Sequence, residues 1–414
     1  MFELPKEVKK LLKEFYNLGY VGYVVGGAVR DIILNKPPKD FDIITTAPLD
    51  KLSFGKTFDI GKQKDFDIVN LKYNEFTFEV QWFDGILMNN LKERDFRINA
   101  LVMDIHGNVY DFVNGLNDIK NKTIGNYQIE EKYQKDPLRM LRAIRQAVNL
   151  NFKIENIDAI IFNKHLIHNV SEERIKDELF KMALNNGTKF AKCIKLMDKT
   201  ELLEEVFPIV YILKYFKERK DFHPESYDEK NNSSVFNHVI KALECYSGND
   251  PLVNFGILFH DVGKALTLEF RENGKPSYHY HEKAGLSVIK DFMKEMKFSN
   301  QDIDTVLYLT ENHMKVHKNV SRPGKILKFV NHKDWNRLKA LAFCDDSCRG
   351  PEIFNSKDFF NTIENFENIA SSWDEKNKTE KVLSGNTVME VLNIKPSPLV
   401  GKILAEATDW IIEN

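Results

Sequence analysis

The chain has 414 residues, of which 43% are hydrophobic and 29% charged, with a formal net charge of −2. That length exceeds what one compact core supports and points to two to four domains, while the composition is that of an ordinary globular protein. A net charge near zero excludes a uniformly basic coat, although a local basic surface is enough to engage phosphates. The first residues carry no apolar leader core, and no apolar run approaches the length of a membrane span, so a cytoplasmic location and no membrane partner are expected. Cys193, Cys245, Cys344 and Cys348 form no CxxC pair, and Cys344 and Cys348 lack the second pair that a zinc site would need, so reduced thiols are expected.

In chain order, residues 5–18 read as an amphipathic helix with Val8, Leu11, Leu12 and Phe15 on one stripe. Strand-like stretches follow at 20–25, 40–45, 66–72, 76–83 and 101–105, making a compact α/β unit to about residue 125. Inside it, Val24-Val25-Gly26-Gly27-Ala28-Val29-Arg30-Asp31 precedes Asp40-Phe41-Asp42. Glycine lets backbone N–H groups approach a triphosphate closely. On a strand, residues 40 and 42 point to one face, where two carboxylates can hold a pair of Mg²⁺ ions. The plain alternative is a glycine turn before a solvated acidic strand.

Beyond residue 125 the strand signal fades, and helical periodicity, broken by prolines, runs from Asp136 to the C-terminus. Asp136 before Pro137 reads as a helix N-cap with proline in the first helical position. Arg139, Arg142 and Arg145 recur every third residue, either as a solvated basic stripe or as fixed donors for a base edge or phosphates. Residues 218–234 are polar, contain His223-Pro224, and read as a domain junction. Further on, His238, His260-Asp261, His281, His313 and Asp345 fall in helical or helix-end contexts beside carboxylates, a donor set suited to a divalent metal. Asp346 is the alternative to Asp345, and His317 reads as structural or peripheral.

Taken together, these segments resemble class II tRNA nucleotidyltransferases (CCA-adding enzymes) and the similar bacterial poly(A) polymerases. The matching segments are the glycine motif with Asp40 and Asp42, Arg94-Asp95-Phe96-Arg97-Ile98-Asn99-Ala100-Leu101 with Arg97 for the usual Thr, and Asp136-Pro137-Leu138-Arg139 behind Lys135 instead of Glu. Ser171-Glu172-Glu173-Arg174-Ile175 with Glu178, and Pro396-Ser397-Pro398-Leu399-Val400-Gly401, are similar to the family's later motifs. The implied fold is α+β: a small polymerase-beta-like nucleotidyltransferase head at 1–125, then an all-α body. That body comprises a neck and RNA-binding region at 126–217, an HD domain at 218–350 and a tRNA-binding tail at 351–414.

The implied activity is template-independent addition of C, C and A, from CTP and ATP, to the 3′ end of tRNA at its acceptor stem. Asp40 and Asp42 would be the catalytic Mg²⁺ ligands. Asp136 and Arg139 would read the base. Gly26, Gly27, Arg30, Asp31, Arg94, Asp95, Asn99, Arg142 and Arg145 would surround the nucleotide. Only Ile86–Glu93 stands where the family has a longer loop, which resembles relatives that add CC alone.

The histidine pattern resembles HD phosphohydrolases, which implies that His238, His260, Asp261 and Asp345 hold a metal, with His281 and His313 as the added ligands of two-metal members. That metal would be Ni, Mn, Fe or Mg, and Lys264 would bind a phosphate. Alternatives are a poly(A) polymerase, or an HD phosphohydrolase behind a silent head.

Overall fold

The computed structural model describes residues 2–59, 68–228, 231–316, 323–379 and 384–413. Residues 66 and 67 of the expected third strand, and His317, lie outside these. The chain divides into two compact units, Met1–Val170 and Ser171–Asn414, a boundary inside the segment expected as a neck. No helix among the described residues is long and apolar enough to cross a membrane.

In the first unit α1 (Lys6–Asn17) buries Val8, Leu11, Leu12 and Phe15, the stripe read from the sequence. Burying each such side chain is worth roughly 1.5–3 kcal/mol. A mixed seven-stranded sheet follows, built from β1 (Gly22–Val25), β2 (Asp42–Thr45), β3 (Lys56–Asp59), β4 (Ile68–Tyr73), β5 (Phe76–Trp82), β6 (Leu101–Met103) and β7 (Val109–Asp111) in the order β3-β4-β5-β2-β1-β6-β7. Strands β3 and β7 were not expected. Side chains alternate across the sheet. Val24 and Ile43 join α1 in one core, whereas Val25, Ile44, Phe83 and Val102 form a second on the opposite face. Strand β2 pairs parallel with β5 and antiparallel with β1. The unit also holds α2 (Gly27–Ile33), α3 (Leu87–Glu93), α4 (Gly115–Asn121), α5 (Ile129–Lys135) and α6 (Leu138–Leu150).

The second unit is built on helix Pro251–Phe259, in which every residue from Leu252 to Phe259 is buried. A helix apolar on all sides belongs at the centre of a core, and it packs against helices Val235–Cys245, Asn300–Val316 and Trp335–Ser347. Phe255 and Phe259 meet Phe180, Phe190, Phe207, Phe292 and Phe298 there. The unit departs from the all-α expectation by one antiparallel hairpin, Leu268–Phe270 with Pro276–Tyr278. Its two three-residue strands are too short to show a period, and Gly274 at its turn (φ 73°) was the available signal.

Candidate functional site

The register of the parallel seam sets Asp42 of β2 beside Glu79 of β5. Asp40 lies just before β2, exposed. Burial, partly opposed by Arg94 and reinforced by Asp40 and Asp95, pushes the Asp42 carboxyl above its ordinary range. Glu79 is raised by burial and then by Asp42. Carboxylates crowded in this way fit a cation, since like charges at close range resist ionising together. Glu79, exposed on its strand, escaped the sequence reading because only the β2–β5 register sets it beside Asp42.

Gly26 joins β1 to α2 with φ +84°. A Cβ there would stand 2.9 Å from Asp42 Oδ2 and 3.1 Å from Arg94 Nη1. Gly26→Ala therefore adds left-handed strain, about 1–2 kcal/mol, and displaces both side chains. We expect any turnover that depends on Asp42 to fall about tenfold or more, since about 1.4 kcal/mol is a factor of ten. An unchanged kcat/KM in the alanine variant would refute the close-approach account.

A cavity with about 270 Å³ of free space is lined by Asp42, Glu79, Glu93, Arg94, Asp95, Arg139 and Arg142, among others. Asp40, Gly26, Gly27, Arg30, Asp31, Asn99, Asp136 and Arg145 do not line it. Arg30 is engaged by Asp31 (Nε–Oδ1 2.9 Å), Asn99 (2.6 Å) and Gln146 (3.0 Å), and Asn99 in turn donates to Asp95 (3.0 Å). Arg142 stands 4.0 Å from Asp95.

Helix α6 begins at Leu138 with Pro137 in the capping position, one residue later than expected. Asp136 precedes it with extended backbone, its Oδ2 4.0 Å from Arg139 Nε. Arg139 is no part of a solvated stripe. Its Nη2 donates to the Glu93 carbonyl (3.0 Å), while Nε and Nη1 are buried with no hydrogen-bond partner. Arg145 is half-buried on the same helix. Arg97, the departure from threonine, is a structural tie. It forms two bonds to Asp118 (2.8 and 2.9 Å) and one to Glu155 (2.6 Å). The short segment after β5 is helix α3, whose last residue Glu93 pairs with Lys135 (2.6 Å) and Lys132 (3.6 Å).

The second constellation lies in the other unit. His238 is on helix Val235–Cys245, His260-Asp261 follow helix Pro251–Phe259, His281 opens helix His281–Glu295, His313 is on helix Asn300–Val316, and Asp345 is on helix Trp335–Ser347. All six are buried. The Nδ1–H groups of His260, His281 and His313 donate to the carbonyls of Ile257, Tyr278 and Thr310 (2.7, 2.9 and 2.6 Å). Their Nε2 lone pairs are thereby turned inward. His238 Nε2 is 3.3 Å from His260 Nε2, and His281 Nε2 is 3.3 Å from His313 Nε2.

Asp261 spans the two pairs. Its Oδ2 faces His260 Nε2 (3.2 Å) and its Oδ1 faces His281 Nε2 (3.2 Å). Asp345 Oδ1 lies 3.1 Å from His238 Nε2 and 3.1 Å from Arg349 Nη2, while Asp346 meets the other arm of Arg349 (3.3 Å). Converging ring nitrogens and carboxylate oxygens, all on buried side chains, fit metal ions. Burial, with His260 and His281 adding to it, holds the His313 imidazole well below its ordinary pKa and so neutral.

Gly263 permits this closeness: a Cβ there would meet the His281 carbonyl oxygen at 2.0 Å. Lys264 Nζ sits between Glu218 (2.6 Å) and Asp261 (2.8 Å). It lines a cavity of about 260 Å³ with His223, Arg219, Arg271 and Arg349. Sequence reading took His223, Glu225 and Glu218 for part of a junction, although a His-Pro-Glu run among polar residues was the signal available.

Residues 22–85 and 72–125 match the poly A polymerase head domain, and 151–213 match the probable RNA and SrmB-binding site of polymerase A. The match to the poly A polymerase head domain is thus confined to residues 22–125. Residues 205–335 match the HD domain family. The CCA-adding enzyme of Lactobacillus johnsonii is 37% identical over 220 residues, 47% of this chain and 54% of the relative. That of Bacillus pumilus is 36% identical over 218 residues, with the same coverage. The chain thus spans about half the length of the curated relatives it matches. Among solved structures, the Bacillus stearothermophilus CCA-adding enzyme in complex with CTP aligns with TM-score 0.67 at 23% identity over 99% of this chain and 92% of that one. The Thermotoga maritima CCA-adding enzyme complexed with tRNA_CCA gives 0.58 at 16% identity with the same coverage. These two establish the fold: a polymerase-beta-like head followed by a helical body with an HD domain.

Proposed function

We propose that the head transfers nucleotides from CTP and ATP to the 3′ end of tRNA, adding C, C and A without a nucleic-acid template. The observation that carries this is one cavity that brings Asp42 and Glu79 together with Arg94 and the unsatisfied donors of Arg139. Asp40 and Asp42, with Glu79 beside them, would hold Mg²⁺, which would activate the attacking hydroxyl and steady the leaving pyrophosphate. Gly26 and Gly27 leave room for the triphosphate. Arg30, Asp31, Asp95, Asn99, Arg142 and Arg145 form the polar surround. A carboxylate acceptor at Asp136 beside the Arg139 donors can pair with the edges of C or A, while G and U offer the wrong pattern. The short, helical segment at 87–93 is consistent with a narrower reaction that stops after CC.

The test uses tRNAs ending before C, after C and after CC, each with labelled CTP or ATP. Label from CTP on the first two and from ATP on the third is the expected result. CTP alone would make the enzyme a CC-adding one, and long A tracts on unrelated RNA would make it a poly(A) polymerase. Incorporation from neither nucleotide would refute the reading.

The buried histidine cluster favours a second activity. We infer that His238, His260, Asp261, His281, His313 and Asp345 hold divalent ions, which would supply a metal-activated water to a phosphoester. Lys264, Arg219 and Arg271 line the approach for the phosphate. RNA-terminal phosphates and 2′,3′-cyclic phosphates are the proposed substrates.

A further inference from the structure

Of the four cluster histidines, three have Nδ1 fixed by a backbone carbonyl, which no substitution removes. His238 differs: its Nδ1–H donates to Glu225 Oε1 at 2.7 Å. The same oxygen accepts from Nδ1–H of His223 at 3.0 Å, and the two imidazole rings lie 4.5 Å apart. His238 is buried and Glu225 half-buried, and Glu225 Oε2 has no hydrogen-bond partner.

One carboxylate oxygen therefore sets two tautomers at once. In His238 it leaves Nε2 as the ring nitrogen that faces Asp345 (3.1 Å) and His260 (3.3 Å). In His223 it leaves Nε2 as the second ring nitrogen, 3.9 Å from Glu218 Oε2, on the wall of the cavity that Asp261 and His281 also line. Carboxylates that hold a ligating histidine by its far nitrogen fix its orientation and raise its basicity. His223, held in the same way but outside the inner cluster, is presented to whatever fills the cavity.

We propose that Glu225 is a positioning residue for the metal ligand His238, and that through the same oxygen it presents His223 as a substrate-contacting residue of the HD site. The proposal rests on the reading of that site as a metal-dependent phosphohydrolase. Glu225 and His223 then have separable effects, one on metal affinity and one on the bound phosphoester.

The experiment titrates the full chain with Mn²⁺ alone and counts the binding that Asp261→Ala removes. Hydrolysis of p-nitrophenyl phosphate is measured on the same samples. Glu225→Ala is expected to weaken that Mn²⁺ affinity by about 10- to 100-fold. Glu225→Gln, whose amide oxygen still accepts, is expected to recover most of it, which a general loss of packing would not do. His223→Asn is expected to leave Mn²⁺ affinity as it was and to raise KM or lower kcat about tenfold or more.

Wild-type Mn²⁺ affinity in Glu225→Ala would overturn the positioning role, and unchanged KM and kcat in His223→Asn would overturn the substrate contact. Loss of Mn²⁺ by His223→Asn would make His223 a ligand and overturn the assignment. A wild-type chain with no Asp261-dependent Mn²⁺ binding would overturn the HD reading and this inference with it. Binding in the wild type together with indifference to Glu225 would overturn the inference alone.

Discussion

Asp42→Ala is expected to cut incorporation from CTP and ATP by about 10³-fold or more, because metal stabilisation of the reacting phosphate is worth several kcal/mol and about 1.4 kcal/mol is a factor of ten. The fold should survive. Burial and its carboxylate neighbours raise the Asp42 pKa in the folded head, so the ionised group is less comfortable folded than unfolded. Its charge costs stability as pH rises from its unfolded pKa through its folded one, and that cost is fully present above the folded one. Asp42→Asn, measured without Mg²⁺, is therefore expected to melt no lower than the wild type. A dead variant with a raised or equal melting temperature marks a catalytic carboxylate. A dead variant that melts well below the wild type would reassign Asp42 to the fold. Hydrolysis at the histidine cluster is expected to be unchanged in either variant.

Asp261→Ala is expected to abolish phosphoester hydrolysis, again by about 10³-fold or more, and to spare incorporation. Here stability moves in the opposite direction. Although burial raises it, His260 and then Lys264 hold the Asp261 carboxyl well below the usual range. Its contribution is therefore present above its unfolded pKa and lost as pH falls toward the folded one. Removing it leaves Lys264, itself buried, with Glu218 as its ion-pair partner. Breaking a buried pair in this way costs about 3–5 kcal/mol, a fall in melting temperature on the order of 10 °C for a unit of this size. Asp261→Asn keeps the shape and is the milder control. Loss of both activities in either the Asp42 or the Asp261 variant would refute two independent sites.

What could be read from the sequence was local or carried by composition. The α1 stripe is a matter of spacing within one helix, and it emerged with the same four buried residues. The histidines stood out because few residue types can serve as ligands, and four separate helical elements deliver them, with a fifth bringing Asp345. What escaped depended on pairing across the chain. Glu79 gains its meaning only from the register that sets it beside Asp42. Glu225 and His223 sit in a polar stretch whose turns resemble any junction until His238 arrives from the next helix. Arg97 belongs to a segment rich in candidate nucleotide contacts, yet Asp118 and Glu155, distant in sequence, claim its guanidinium.

The parallel seam between β2 and β5 has a bearing on how the head comes into being. Two strands running the same way cannot be joined by a tight turn, and here the crossover contains β3 and β4. Contacts of such long separation form slowly, because loop-closure entropy opposes them before any packing offsets it. Asp42 and Glu79 therefore stay apart in a nascent or partly unfolded chain and meet only when the sheet is complete. The ion and triphosphate site proposed for the head therefore depends on the β2–β5 pairing and cannot form from either strand with its sequence neighbours alone.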